Sequence, residues 1–285
     1  MTDAFHRFAR DLAPFIADER IISDPLRTLA FGTDASFYRL IPKLVVTVIN
    51  EQEVQKVLEL AHQHKVHLTF RAAGTSLSGQ AISDSVLIVL GDYWNGREIR
   101  DGGNQIRLQP GVIGAQANAV LAPLGRKIGP DPASINACKI GGIVANNASG
   151  MCCGTAQNSY QTLAGMRLVL ADGTVLDSED ERGVAAFRQS HGALLEQLAE
   201  LGRETRANTA LAERIRHKYR LKNTTGLSLN ALVDFDDPLD ILTHLMVGSE
   251  GTLGFISSVT YNTVPEYPHK ASALIVFPDV DTCCR

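Results

Sequence analysis

Two glycines in the segment RAAGTSLSGQ, residues 71–80, have the spacing of a phosphate-binding loop. Gly74 and Gly79 match the two glycines of the motif G-x-x-x-x-G-K-[ST], whose lysine and hydroxyl group serve a nucleoside triphosphate and its magnesium ion. Gln80 and Ala81 stand where those two residues are required. Only AISDS separates the segment from the next apolar run, which leaves no room for a helix facing the phosphates. The dinucleotide motif G-x-G-x-x-G fails on spacing and topology as well.

A loop between two strands can still bind a diphosphate without a metal ion. Successive backbone N–H groups in a turn form an anion-binding nest, and glycine allows the close approach and the positive φ angles that such a nest needs. Thr75, Ser76 and Ser78 add hydroxyl donors. Taken alone, these ten residues fit an ordinary Gly/Ser turn equally well.

Two further glycine-rich segments favour a large ligand. IGGIVANNASG, residues 140–150, combines small residues with Asn146 and Asn147, whose amides can bond the edge of a heterocycle. GSEGTLGFI, residues 248–256, places glycines just before a strand-like run. Segments with so few large side chains predict a backbone that follows one ligand over an extended surface.

Composition excludes several classes of protein. The chain has 285 residues, a net charge of -4 and 6% aromatic residues, which argues against nucleic-acid binding. Its five cysteines include no C-x-x-C pair, and no signal peptide or membrane span is evident. We therefore expect a cytoplasmic protein with reduced thiols. The histidines of HQHKVH, residues 62–67, are expected at a helix end rather than at a metal site.

Hydrophobic periodicity predicts alternating strands and helices. Asn50 is the expected N-cap of one helix, and Asp172-Gly173 the expected turn of a hairpin. Residues 129–154 are predicted to be a long functional loop. A final strand and a first helical turn cannot make a domain, so we expect a fragment of a longer protein. Helices are predicted at residues 4–19, 51–64, 113–123 and 183–218, and strands at 45–49, 68–70, 85–90, 106–109, 256–261 and 273–277.

Several motifs of the chain occur in the order and approximate spacing of a known family. They are RAAGTSLSGQ, GPDPAS with IGGIVANNASG, LVLADGTVLD and GSEGTLGFI. Together they resemble the FAD-binding domain of the vanillyl-alcohol oxidase type, in the group of D-lactate dehydrogenase, glycolate oxidase and D-2-hydroxyglutarate dehydrogenase. NNASGMCCGTAQNSY is most similar to the long bacterial members that also carry an iron–sulfur cluster. The resemblance implies an α+β fold with two subdomains and mixed sheets flanked by helices.

The resemblance also implies residue roles. Residues 71–80 would wrap the FAD pyrophosphate, 130–134 and 141–150 would line the flavin and phosphate chain, and 250–256 would close the adenosine or ribityl side. Thr75 occupies the place of a histidine that binds FAD covalently in some relatives, so non-covalent FAD is expected. Ala72-Ala73 replaces a frequent Gly-Gly. The implied cofactor-binding residues are Arg71, Ala73, Gly74, Thr75, Ser76, Leu77, Gly79, Gln80, Pro130, Asp131, Ser134, Gly141, Gly142, Asn146, Ala148, Ser149, Gly150, Glu250, Gly254 and Ile256.

The expected organisation is a helical extension at 1–37, the FAD-binding domain at 38–268 and the start of a truncated substrate domain at 269–285. The resemblance implies hydride transfer from a D-2-hydroxy acid to the flavin, with D-lactate first and D-2-hydroxyglutarate or glycolate as alternatives. The base and the carboxylate-binding residues would lie beyond Arg285, so no catalytic or metal-binding residue is expected in this chain.

The resemblance further implies an iron–sulfur cluster in the missing part, a quinone or cytochrome as electron acceptor, and peripheral association of the full-length enzyme with the inner face of the membrane. Two other functions stay open. One is a non-catalytic FAD-binding module, and the other is a flavin reductase of the cell-wall UDP-sugar pathway. Lys222 and Asn223, in RLKNTTG, are expected either to reach substrate or to lie in a solvated loop.

Overall fold

A computed structural model describes residues 3–269, 271 and 273–285. The chain forms two mixed α+β layers, as expected for the fold. The strands are β1 (Ile21–Ile22), β2 (Leu44–Thr47), β3 (Leu68–Arg71), β4 (Val86–Val89), β5 (Arg97–Arg100), β6 (Gln105–Leu108), β7 (Arg126–Lys127), β8 (Leu163–Leu170), β9 (Val175–Asp177), β10 (Gly254–Asn262) and β11 (Val264–Pro265). The helices are α1 (Asp3–Leu12), α2 (Pro25–Ala30), α3 (Glu51–His64), α4 (Gly114–Leu121), α5 (Ile140–Asn146), α6 (Ser159–Thr162), α7 (Glu181–Ser190), α8 (Gly192–Ala207), α9 (Thr209–Lys218), α10 (Ala231–Asp234), α11 (Pro238–Met246) and α12 (Val280–Cys284).

The first sheet has the order β1-β2-β4-β3, and β4 pairs in parallel with both β2 and β3. The apolar runs of β2 and β4 are typical of strands covered on both faces. Helix α3 crosses from β2 to β3, and Asn50 caps its N-terminus by accepting the N–H of Glu53, as predicted. Lys65 caps its C-terminus in the left-handed conformation, with φ 55°. Because of this crossover β3 runs parallel to β4, and the loop at residues 71–81 begins at the C-terminal end of β3.

The N-terminal residues 3–22 are built into this first layer. Phe8, Leu12 and Ile16 are buried in the same core as α3, and the ring of His64 contacts Asp11 through a 2.9 Å hydrogen bond. Strand β1 pairs antiparallel with β2. Within the extension predicted at 1–37, residues 3–22 are therefore packed against the first sheet.

The second sheet has the order β5-β6-β10-β8-β9 and is antiparallel throughout. Alternate side chains face opposite sides: Leu168 and Val259 pack under the helices, while Val169 and Phe255 pack against the first layer. β10 lies at the centre, although it comes last in the chain among these strands. The predicted hairpin at Asp172-Gly173 joins β8 to β9.

A partly buried ion pair joins the two layers. Arg167 on β8 donates to both carboxylate oxygens of Glu51, the first residue of α3, at 2.7 and 2.9 Å. Ser257 Oγ on β10 donates to the same carboxylate at 2.5 Å. Burial would raise the pKa of Glu51, but these hydrogen bonds hold it below its usual value. The layers are thus tied together at the first turn of α3.

Three predictions of local structure were wrong. α1 ends at Leu12 rather than at residue 19, because Pro14 disfavours helical backbone in the residue before it. The predicted loop 129–154 contains α5, whose Ile140, Ile143 and Val144 are buried in the core. Residues 273–277 are exposed and form no strand. The short helix predicted after them is present as α12. Residues 270 and 272, at the expected start of the next domain, lie outside the described residues.

Candidate functional site

A cleft of about 650 Å³ lies where the three glycine-rich segments meet, a volume within the ordinary range for small-molecule sites, about 300–1,000 Å³. Its walls come from the β3–β4 loop, from α5 with its flanks, and from the turn before β10. The predicted residues that line it are Arg71, Ala73, Gly74, Thr75, Ser76, Leu77, Gln80, Ser134, Gly141, Gly142, Asn146, Ala148, Ser149, Glu250, Gly254 and Ile256.

The loop at residues 71–81 connects two parallel strands without a helix, as predicted. Arg71 braces it from within, since its Nε donates to the carbonyl of Ala81 at 2.7 Å. Gly74 and Gly79 have φ angles of 68° and 79°, which L side chains rarely adopt. The Arg71 Nη2 is buried and has no hydrogen-bond partner among the described residues. The loop therefore lines the cleft and includes one unsatisfied guanidinium nitrogen.

Helix α5 is capped at its C-terminus by Asn147, which adopts the left-handed conformation with φ 54°. The N–H of Ala148 returns to the carbonyl of Ile143 at 2.9 Å, which is a common way to close a helix. This turn sends two adjacent asparagines in different directions. Asn146 lines the cleft, whereas Asn147 is buried and donates from Nδ2 to the carbonyl of Asn223 at 3.3 Å. The prediction that both amides face the ligand was wrong for Asn147.

Glu250 connects all three segments at the cleft. Its Oε1 accepts from Asn146 Nδ2 at 2.6 Å and from Gln80 Nε2 at 3.5 Å. Its φ is 53°, and its N–H donates to the carbonyl of Ala145 at 2.9 Å. Burial raises the pKa of Glu250 above its usual value, and the hydrogen bond from Asn146 offsets part of that rise. Among the described lining residues it is the single carboxylate.

Four predicted residues are not among the residues that line the cleft, namely Gly79, Pro130, Asp131 and Gly150. Asp131 shapes the segment after α5 by accepting the N–H groups of Gly150, Cys152 and Cys153 at 2.9, 3.1 and 3.2 Å. Partial burial would raise the pKa of Asp131, but hydrogen bonds from Cys153 and its neighbours hold it below its usual value. A Cβ on Gly150 would lie 1.9 Å from the Asp131 carbonyl oxygen, so this contact requires glycine.

The two adjacent cysteines differ from each other. Cys153 is buried, whereas Cys152 is exposed. Over the described residues, the structure contains no group of His, Cys, Asp and Glu side chains suited to a metal ion. Nor does any helix in that part of the chain have the length and apolarity to span a membrane.

Sequence reasoning missed one cation of the cleft and left another undecided. Lys139 and Lys222 both line it, where their ammonium groups donate to the carbonyls of Gly91 and Ser149. Lys139 directly precedes the IGG segment, and this position was the signal that could have found it. Lys222 is exposed and lies in a loop, and it also lines the cleft, so both predicted alternatives hold for it. Asn223, by contrast, is buried and does not line the cleft.

The residues present fit an elongated anionic cofactor. The wall is rich in glycine and alanine, and among the described lining residues the cations Arg71, Lys139 and Lys222 outnumber the lone carboxylate of Glu250. Two buried polar atoms of the lining, Arg71 Nη2 and Ser149 Oγ, have no partner among the described residues. Such atoms are expected to be satisfied by a ligand or by water. A ligand with a diphosphate flanked by hydroxyl-bearing groups would match these cations and unpaired polar atoms.

Residues 42–179 match the family model described as "FAD binding domain". The chain is 28% identical to a D-2-hydroxyglutarate dehydrogenase of Pantoea ananatis over 248 residues, 83% of this chain and 24% of that protein. It is 37% identical to the glycolate oxidase subunit GlcD of Escherichia coli over 169 residues, 56% of this chain and 34% of that protein. The chain thus spans about a quarter to a third of the length of these relatives.

Solved structures agree on the fold. Alkyldihydroxyacetonephosphate synthase superposes with a TM-score of 0.60 at 19% identity, covering 91% of this chain and 40% of that one. p-Cresol methylhydroxylase superposes with a TM-score of 0.60 at 13% identity, covering 94% of this chain and 45% of that one. Residues 42–179 are therefore similar to an FAD-binding domain, and the chain has a fold of the vanillyl-alcohol oxidase type. The resemblance to the glycolate oxidase and D-2-hydroxyglutarate dehydrogenase group is confirmed.

Proposed function

We propose that this chain binds FAD non-covalently in the cleft and is the cofactor-binding part of a flavin-dependent D-2-hydroxy-acid dehydrogenase. The observation that carries the proposal is the convergence of the three glycine-rich segments on one cleft with two unsatisfied buried polar groups. When bound, FAD supplies the hydride acceptor for oxidation of the hydroxy acid. The loop at 71–81, with Arg71, would hold its diphosphate. Thr75 offers no nucleophile of the kind that attaches flavin covalently.

The chain's own residues bind and orient the cofactor but offer no general base. No histidine lies among the described residues that line the cleft, and the carboxylate of Glu250 is already engaged by Asn146. A base must come within hydrogen-bond reach of the substrate hydroxyl. We therefore place the base and the carboxylate-binding residues in the part of the enzyme beyond this chain, together with any iron–sulfur cluster.

The substrate is proposed as a class. The relatives named above support a D-2-hydroxy acid, so D-2-hydroxyglutarate and glycolate stand beside D-lactate as substrates to test. A quinone or cytochrome as electron acceptor, a cytoplasmic location and peripheral membrane contact of the full-length enzyme belong to the same proposal. The alternative of an FAD-binding module without catalysis is favoured for this chain alone, because its cleft lacks a free base among the described residues.

Colour and turnover test the proposal. Purified chain is expected to carry flavin absorbance or to acquire it with added FAD, and heat should release FAD rather than FMN. With the three hydroxy acids and a reducible dye, the chain alone should show no turnover. A protein that takes up no FAD on reconstitution would overturn the proposal. High turnover would instead show that the base lies within these residues.

A further inference from the structure

Residues 33–40 form a closed turn that we call the strap. Thr33 pairs with Arg39 in an antiparallel bridge, and the N–H of Leu40 donates to the carbonyl of Gly32 at 3.1 Å. Inside the turn, Asp34 Oδ1 accepts the N–H of Ser36 at 2.8 Å. The strap is thus held in shape by its own hydrogen bonds, although most of its side chains are exposed.

The strap contacts both glycines of the loop at 71–81. The N–H of Ala35 donates to the carbonyl of Gly74 at 3.0 Å. The ring of Tyr38 lies over Gly79, where a Cβ would come within 2.9 Å of its Cδ2. These contacts approach the loop at its two left-handed residues, with φ angles of 68° and 79°.

A third contact is electrostatic and reaches the arginine beneath the loop. Burial lowers the pKa of Arg71, and the nearby carboxylate of Asp34 opposes that shift. Asp34 Oδ2 and Arg71 Nη2 are both buried without a hydrogen-bond partner among the described residues. Asp34 therefore stabilises the guanidinium as a cation while leaving one of its nitrogens free to donate.

A glycine-rich loop is costly to order, because glycine loses more conformational freedom than any other residue. A ligand that must order such a loop loses affinity by the free-energy cost of ordering it. Contacts that order the loop before the ligand binds restore this affinity. The strap supplies such contacts. Ala35 lines the cleft but Tyr38 does not, so any effect of Tyr38 on a ligand must act through Gly79.

We propose that the strap holds the loop at 71–81 in its diphosphate-binding shape and that Tyr38 is the positioning residue. The proposal rests on the proposed function and adds a determinant of FAD affinity that does not touch FAD. A Cβ built on Gly79 would meet Cδ2, Cγ and Cβ of Tyr38 at 2.9, 3.4 and 3.5 Å, so the ring edge approaches the Gly79 backbone and the hydroxyl does not take part in this contact.

Neighbouring aromatic residues provide a matched test. Tyr38→Ala removes the ring over Gly79, Tyr38→Phe keeps it, and Phe37→Ala removes an adjacent ring that is fully exposed at 102%. Each variant is titrated with FAD by flavin fluorescence, and the FAD-free form of each is unfolded thermally. We expect Tyr38→Ala to raise the Kd for FAD about tenfold. Tyr38→Phe and Phe37→Ala should stay within about twofold of the parent, and the FAD-free forms should melt alike.

The outcomes separate the strap from the FAD site itself. If the parent chain binds no FAD, the proposed function fails. If the parent binds FAD and Tyr38→Ala binds it equally well, the strap proposal fails while the function stands. A fall in the melting temperature of FAD-free Tyr38→Ala that matches its loss of affinity would assign Tyr38 to general stability and also overturn the proposal.

Discussion

Asn146 donates a 2.6 Å hydrogen bond from Nδ2 to Oε1 of Glu250, and this contact joins two segments that are far apart in sequence. Asn146 ends α5, and Glu250 lies in the turn before β10. Gln80, at the end of the 71–81 loop, contacts the same carboxylate oxygen. A single carboxyl group therefore contacts side chains from both other walls of the cleft.

Gly74→Val should abolish retention of FAD. At φ 68° a β-branched side chain costs about 1–2 kcal/mol, and the loop relieves this strain by leaving its cradle shape. Bound flavin per protein after gel filtration is the measurement. Gly125→Val is the matched control, because its φ is 65° and a Cβ there would meet no atom within 4 Å. A Gly74→Val protein that stays yellow would show that this loop is not the cradle.

Gly142→Leu should separate FAD affinity from stability. Gly142 lies in α5, and a Cβ there would face Ala72 Cβ across the cleft at 4.0 Å. A leucine would occupy ligand space, yet replacing a helical glycine gains up to about 1 kcal/mol in helix propensity. We expect FAD binding to be lost while the FAD-free chain melts no lower than the parent. Gly192→Leu, in open space at the start of α8, should leave FAD binding intact, and equal loss in both variants would refute this assignment.

Glu250→Gln should change the pH dependence of stability. Burial raises the pKa of Glu250 above the usual 4.5, so the folded chain holds the carboxyl proton more tightly than the unfolded chain. The contribution of this proton to the free energy of unfolding is complete below pH 4.5 and is lost as the pH rises through the folded-state pKa. The free energy of unfolding of the parent minus that of Glu250→Gln should therefore fall as the pH rises from 4.5. Urea unfolding of both FAD-free chains over this range measures the difference. A difference that stays flat or grows would mean that the pKa is not raised.

Asn147→Ala should destabilise the chain more than Asn146→Ala. Asn147 is left-handed and buried, and its amide bonds both Asn223 and Tyr160. The loss of those hydrogen bonds and the left-handed strain together cost about 2–4 kcal/mol. Asn146→Ala should lower the free energy of unfolding less than Asn147→Ala does, and it should weaken FAD binding more. Urea unfolding and FAD titration of the two variants check the contrast, which equal effects would contradict.

The sequence contained enough to locate the cleft because its signals are local. A density of glycine and alanine marks backbone that a ligand approaches closely, and the missing lysine and helix at 80–81 removed the triphosphate alternative. Helix α3 and its Asn50 cap follow from periodicity and one polar side chain. The glycine-rich segments, the helix and its cap depend on residues that are close together in sequence.

The features that were missed depend on distant neighbours. Helix α5 carries two glycines that disfavour helix by about 1 kcal/mol each, and burial of its three large apolar residues in the core outweighs them. The different orientations of Asn146 and Asn147 follow from a left-handed turn that either residue type could adopt. The contact of Tyr38 with Gly79 crosses from one loop to another and has no periodic signature.

β10 carries a consequence for the order of folding. It is the central strand of the second sheet and pairs with both β6 and β8, yet it is the last of these strands to be synthesised. Pairings between distant residues form slowly, since the intervening chain must first be closed into a loop. The turn that carries Glu250 directly precedes this strand. The cleft is thus completed only when β10 docks, and capture of a ligand in it would report that the chain up to β10 has folded.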